Sequence, residues 1–198
     1  MKHVLVSKFF HGSPTIAIIK EFFIPLKIKG AYNISLYDAK HLIIECDLLE
    51  DYTRLWVRLI WFVKTYPMRI FKWTVDFDST KESPLKPVWA YFPGLPIYLY
   101  EEECLLSVAN LIGKPLRIDS LNTNRVKLYV ASVCVELDVS KPLVDEVWVS
   151  FEDDDHLDNN EGFWQRVEYD ETLKYCSKCF YMGHSLEDCK RDFEKERL

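Results

Sequence analysis

Near the C-terminus, Cys176, Cys179, His184 and Cys189 stand in the register C-x2-C-x4-H-x4-C, within CSKCFYMGHSLEDC. Two cysteines separated by two residues can grip one cation from a single tight turn. The histidine and the last cysteine then return from the far side of a short loop to complete a tetrahedron. Gly183, directly before His184, lets the backbone turn sharply where the loop closes. A segment this short buries no core, so metal binding would supply its folding free energy, ~10–16 kcal/mol for small zinc modules near neutral pH. Three thiolates and one imidazole suit a single structural Zn2+, and four protein ligands leave no open position for catalysis.

The remainder of the chain must fold by burying apolar surface. Apolar residues make up 48% of the sequence and aromatics 15%, which excludes the disordered class for most of its length. The first 80 residues predict a β-α-β-β-α-β order. VLVSKFF reads as a strand, and Ser13 capping Pro14 opens a helix to Ile24 that Pro25 stops. YNISLYD and HLIIECD form a hairpin turning at Asp38 and Ala39. A second helix is expected over 49–63, from Tyr52, Leu55, Trp56, Leu59 and Val63 at helical spacing, followed by the alternating strand RIFKWTVDF. That order is the split βαβ plan of ferredoxin-like and RNA-recognition domains. KHLIIECD offers Leu42 and Ile44 where an RNA-recognition domain would display aromatics, so the sheet is expected to be a scaffold or a protein-binding surface.

The polar, proline-containing run DSTKESPLKP (78–87) reads as a linker, and a second α+β region extends from there to 170. Its clearest helix starts at the acidic run Glu101, Glu102 and Glu103, keeps Leu105, Val108, Ala109 and Ile112 in phase, and ends at Gly113. KLYVASVCVELDV alternates as a strand, and EVWVSF and WQRVEYD look like two more. The acidic loop 152–162 does not place oxygen ligands and glycine in an EF-hand register, and reads as solvated. The expected organisation is therefore 1–80, 81–170 and 171–198, an α+β protein ending in a zinc module.

Several function classes are excluded on composition and pattern. The most apolar run, LWVRLIWFV, is interrupted by Arg58 and far shorter than the ~20 residues that cross a bilayer, so no membrane role is expected. The N-terminus lacks a continuous h-region and a cleavage site, which predicts an intracellular protein, in the nucleus or the cytoplasm. In that setting Cys46, Cys104 and Cys134, each alone in an apolar pattern, read as small hydrophobes. No motif ties Cys104 to His41 or His156, and Asp153, Asp154 and Asp155 are consecutive where nuclease carboxylates converge from separate elements. No enzymatic activity is expected. The net charge of −6 argues that any nucleic-acid contact is local.

The Cys/His spacing is similar to the zinc knuckle of retroviral and retrotransposon nucleocapsid proteins, which grips single-stranded nucleic acid. Upstream, VWAYFPGLPIYLY, LIGKPLRIDSLNTNR, YVASVCVELDVSKPL and VEYDETLKYCSKC, in that order, resemble a plant family of unknown function. That family stands at the N-terminus of LINE-type retrotransposon proteins and their domesticated relatives, immediately before a CCHC knuckle. The resemblance runs from Val88 onward and more loosely over 8–77. It implies binding of the element's RNA, or another nucleic acid, and no activity outside an attached polymerase, a domain not expected in this chain.

Two positions depart from such knuckles: Phe180 stands where glycine is common, and Ser177 where an aromatic is common. Phe180 and Tyr181 still offer an apolar surface for an unpaired base, a contact worth ~1–3 kcal/mol per base. Lys174, Lys178, Lys190 and Arg191 flank the loop as phosphate contacts. The expected partner is single-stranded nucleic acid, RNA ahead of DNA. The alternative is a protein partner held by the α+β body, with a purely structural knuckle.

Overall fold

A computed structural model describes residues 3–10, 12–150, 161–170 and 174–190. The chain divides into two compact units. The first is discontinuous in sequence, Met1–Lys86 with Lys174–Leu198, and the second is Pro87–Leu173. The architecture is mixed α+β, with many strands and few helices. Among the described residues no helix is long and apolar enough to cross a membrane. The acidic run 151–160, Arg191 and the tail that follows it lie outside the described residues.

The first unit opens with β1 (His3–Phe9) and α1 (Ile16–Phe23). The helix is shorter than the sequence predicts. Its N-cap position falls on Thr15 rather than Ser13, and Pro25 belongs to a following 3-10 turn, Ile24–Leu26. The predicted hairpin forms as β2 (Tyr32–Leu36) and β3 (His41–Cys46), paired Leu36 to Leu42 and Tyr32 to Cys46. Asp38 shapes its turn by accepting hydrogen bonds from the backbone N–H groups of Lys40 and His41, at 2.7 and 2.8 Å.

The expected helix 49–63 is corrected to α2 (Leu49–Val57) followed by a strand, β4 (Ile60–Val63). Leu59 takes a left-handed φ of 59°, which ends the helix, and Trp61 and Val63 then turn inward at period two. The next strand, β5 (Tyr66–Lys72), starts earlier and ends earlier than RIFKWTVDF suggested. Trp73 and Val75 lie past its end and are exposed. One extra strand therefore enters the element order, and the sheet runs β2-β3-β1-β5-β4 with antiparallel neighbours throughout.

Strand register assigns the two faces. Leu5 pairs with Ile44, Ser7 with Leu42 and Ile70, and Phe9 with Met68; all of these are buried. α2 lies on that face, since Tyr52 meets His3 and Trp56 meets Lys72. Leu42 and Ile44 thus sit beneath helices, and the opposite face of β3 presents His41, Ile43 and Glu45. On that opposite face Lys8 is flanked by His41 and Arg69. Phe77, from the segment after β5, packs there against Phe71, His41 and Tyr37.

The second unit holds β6 (Leu85–Pro93) from Pro87 onward, α3 (Glu102–Asn110), β7 (Lys114–Ile118), the short α4 (Ser120–Thr123) and β8 (Val130–Asp138). β9 (Glu146–Ser150), β10 (Gly162–Arg166) and β11 (Glu168–Tyr169) follow. The predicted strand WQRVEYD is divided: β10 pairs with β9, while β11 joins the sheet β11-β6-β8-β7. Alternate residues of β6 and β8, among them Ala90, Phe92, Val133 and Val135, meet Leu105 and Ala109 of α3 in the core. Gly113 serves close approach rather than a left-handed cap, because a Cβ there would stand 2.6 Å from the carbonyl oxygen of Glu136.

Cys46 and Cys134 are buried, as their apolar surroundings predict. Burial pushes their thiols up, to about 11 and about 12, so both stay protonated at neutral pH. A disulfide-reporter assay on the folded, metal-loaded protein near pH 8 is expected to leave Cys46 and Cys134 silent and to register half-buried Cys104. Unfolding with a chelator should release all six thiols.

Candidate metal centre

The C-terminal loop is built on a two-residue hairpin, β12 (Tyr175–Cys176) with β13 (Tyr181–Met182), paired Tyr175 to Met182 and Cys176 to Tyr181. Between the strands the chain turns tightly: the Phe180 N–H donates to the Cys176 carbonyl at 2.8 Å. Gly183, at φ 106°, then reverses the chain and its N–H donates to the Lys174 carbonyl at 2.8 Å. These turns bring Cys176, Cys179, His184 and Cys189 together, with one ligand atom of each within 4.8 Å of all the others. Cys179 Sγ and His184 Nε2 are 3.2 Å apart.

The residues fit a tetrahedral ion. Bonds of ~2.3 Å to sulfur and ~2.0 Å to nitrogen place donors roughly 3.5–3.8 Å from one another. Cys176 and Cys179 are buried, and His184 and Cys189 are half-buried. Burial opposes a thiolate at Cys176, but backbone N–H groups of Cys179 and Lys178 and the thiols of Cys189 and Cys179 outweigh it and bring it down to about 6. Cys179 is pushed up to about 11, by burial and then by its hydrogen bond with Cys176. The opposite directions reflect one shared hydrogen-bonded thiol pair, which titrates as a unit.

The loop does not hang free of the first unit; it is clamped to the open face of the β1–β5 sheet by Glu82. This residue lies in the polar run that sequence reads as a linker, yet it is 3% exposed. Its Oε2 accepts from Arg69 Nη1 at 2.8 Å and from the Met182 N–H at 3.0 Å. Oε1 stands 3.7 Å from the ammonium of Lys8, itself buried. The Glu82 N–H donates to the Phe180 carbonyl at 2.8 Å, and its carbonyl accepts from the Tyr175 hydroxyl at 3.2 Å. One residue thus binds two adjacent strands of the sheet, through Lys8 and Arg69, and both strands of the Cys/His hairpin.

Residues 1–81 match the family model of DUF4283, a domain of unknown function. The DUF4283 segment holds the whole five-stranded sheet, including Lys8 and Arg69, and stops one residue short of Glu82. No curated protein and no solved structure matches the chain.

The remaining sequence-predicted site residues separate by position. Phe180 is exposed, and Lys174, Lys178 and Lys190 are exposed around the loop. Tyr181 is half-buried and carries the Lys8 ammonium 4.5 Å from its ring centroid, so that face of the ring belongs to the docking contact. Arg191 lies outside the described residues. Sequence reasoning missed Glu82, Lys8 and Arg69. The only signal was one carboxylate in a polar run that follows two cations on what prove to be adjacent strands, and register was needed to see it.

Phe180 sits at a left-handed φ of 60°, which accounts for the glycine commonly found after the second cysteine in such loops. With metal saturating, Phe180→Gly is expected to be more stable than Phe180→Ala by about 1 kcal/mol in urea unfolding, since both lose the ring and only glycine escapes the steric penalty. Equal stability would mean that the position carries no such penalty.

Removing Glu82 leaves Lys8 and Arg69 without their buried counter-charge. Glu82→Ala is expected to cost about 3–5 kcal/mol of folding stability. Only the ordered hairpin presents the Met182 N–H and the Phe180 carbonyl to Glu82, so metal affinity in a chelator competition should fall by about tenfold or more, equivalent to ~1.4 kcal/mol.

Proposed function

We propose that this chain is a non-enzymatic, zinc-dependent nucleic-acid-binding protein of LINE-type retrotransposon origin that contacts single-stranded RNA through its C-terminal knuckle. The observation that carries the reading is the Cys3His donor set, closed within 4.8 Å, with Phe180 exposed on the same loop and Lys174, Lys178 and Lys190 exposed around it. Thiolates with imidazole favour zinc over oxygen-seeking cations, and a four-ligand site serves structure rather than catalysis. The ion's part is to hold the hairpin rigid. Phe180 then offers a stacking surface and the lysines meet the phosphate backbone.

The sheet order β2-β3-β1-β5-β4, with β1 and β2 parallel to each other on either side of β3, supports a ferredoxin-like plan extended by one edge strand. The face that an RNA-recognition domain would leave open carries Phe77, Glu82 and the metal hairpin instead. This favours the sheet as a scaffold. The retrotransposon origin rests on the sequence resemblance from Val88 onward and is compatible with the DUF4283 match.

A second reading, a protein-interaction module with a purely structural knuckle, draws support from Tyr181 turning inward onto Lys8 and from the net charge of −6. Fluorescence anisotropy with a labelled single-stranded RNA separates the two. Protein holding one zinc per chain is expected to bind with modest affinity that weakens as salt rises, and the paired Cys176→Ser, Cys179→Ser variant is expected to lose that binding. Zinc-loaded protein that ignores RNA at low salt would move the function to a protein partner.

A further inference from the structure

The knuckle's exposed aromatic has a cationic partner that the loop itself does not supply. Lys81, from the segment joining the two units' sequences, holds its ammonium 4.8 Å from the Phe180 ring centroid. This neighbourhood is fixed by backbone, because the Glu82 N–H donates to the Phe180 carbonyl at 2.8 Å and the Met182 N–H donates to the Glu82 carboxylate at 3.0 Å. Residues 81–82 therefore run alongside 180–182, and the Lys81 backbone stays beside Phe180 while the clamp holds. The Lys81 side chain is half exposed and its other neighbour is the carboxylate of Asp78, at 3.7 Å on the surface. A surface pair of this kind holds a lysine weakly.

We infer that Lys81 and Phe180 form one nucleotide-binding element, in which Phe180 stacks on an unpaired base and Lys81 binds that nucleotide's phosphate. The inference rests on the nucleic-acid reading of the knuckle and adds to it a contact outside the knuckle. In the free protein the ammonium lies over the ring face, where the ring's quadrupole attracts it. An incoming base takes that face, and a flexible four-carbon stem lets the displaced ammonium swing to the adjoining phosphate. Both groups keep a partner throughout. A lone loop would offer stacking with only its own lysines; docking on the sheet adds a charge at the point where the base sits.

The experiment is a salt titration of RNA binding, read by anisotropy with a labelled single-stranded oligouridylate. It compares zinc-loaded wild type with Lys81→Ala, Phe180→Leu and a charge-matched control, Lys40→Ala, at an exposed turn of the β2–β3 hairpin. Lys81→Ala is expected to weaken binding about three- to tenfold at low salt and to flatten the slope of log affinity against log salt by about 0.7, the value of one phosphate contact on a single strand. Lys40→Ala should leave both unchanged. Phe180→Leu should weaken binding with the slope intact, and in the double variant the loss should be smaller than the product of the single losses. If wild type binds and Lys81→Ala keeps its slope and affinity, this inference fails while the knuckle reading stands. If wild type itself does not bind, the knuckle reading fails and this contact with it.

Discussion

One buried carboxylate organises the first unit. Lys8 and Arg69 stand side by side on neighbouring strands, and two cations so placed on a covered sheet face would drive each other apart or into water. Glu82 pairs with both and still has backbone and carboxylate capacity for the Cys/His hairpin. A buried ion pair is poor evidence for net stability, because desolvation consumes most of the attraction. What it does here is fix geometry: the cations on the sheet and the amide of Met182 hold the Glu82 carboxylate between them. The register of the linker against the hairpin is set by charge rather than by apolar packing.

The consequence is that closure of the Cys/His cluster and covering of the sheet's open face go together. Cys176, Cys179, His184 and Cys189 converge through the turns at Phe180 and Gly183, and the same turns aim the Met182 N–H and the Phe180 carbonyl at Glu82. An isolated knuckle takes all its folding free energy from the ion. Here part of the ordering is supplied by a preformed acceptor on the sheet. In return Tyr181 covers Lys8, whose ammonium among the described residues has the Glu82 ion pair and nearby ring faces but no hydrogen-bond acceptor.

How much of this was legible follows from where the signals were local. The ligand spacing from Cys176 to Cys189 could be read directly, because a short loop leaves the four side chains few alternatives. The β2–β3 hairpin, α3 and β8 were legible from periodicity bounded by turn residues. The stretch 58–63 was misread because Leu59 and Val63 fit a helix and Trp61 and Val63 fit a strand equally well; only the left-handed turn at Leu59 decides, and leucine gives no warning of it. Leu42 and Ile44 were assigned to the wrong face, since alternation fixes which residues share a side but not which side the helices take. Glu82 was illegible for a deeper reason: its partners lie far away in sequence, on β1, β5 and the hairpin, and nothing in a run of polar residues distinguishes a buried carboxylate from a solvated one.

The discontinuity of the first unit has a further meaning for how the protein is made. Its sheet is synthesised before the hairpin that covers Lys8, with the entire second unit translated in between. Glu82 and Tyr175 are separated by 93 positions, a gap that ribosomes cross in about 5 to 20 seconds at ~5–20 residues per second. During that interval the nascent sheet presents Lys8, Arg69 and Glu82 on an uncovered face, charges that the hairpin later covers. An apolar docking surface in the same place would be sticky for the whole of that wait. The choice of an ionic clamp suits an element that must stay open until its own C-terminal piece arrives.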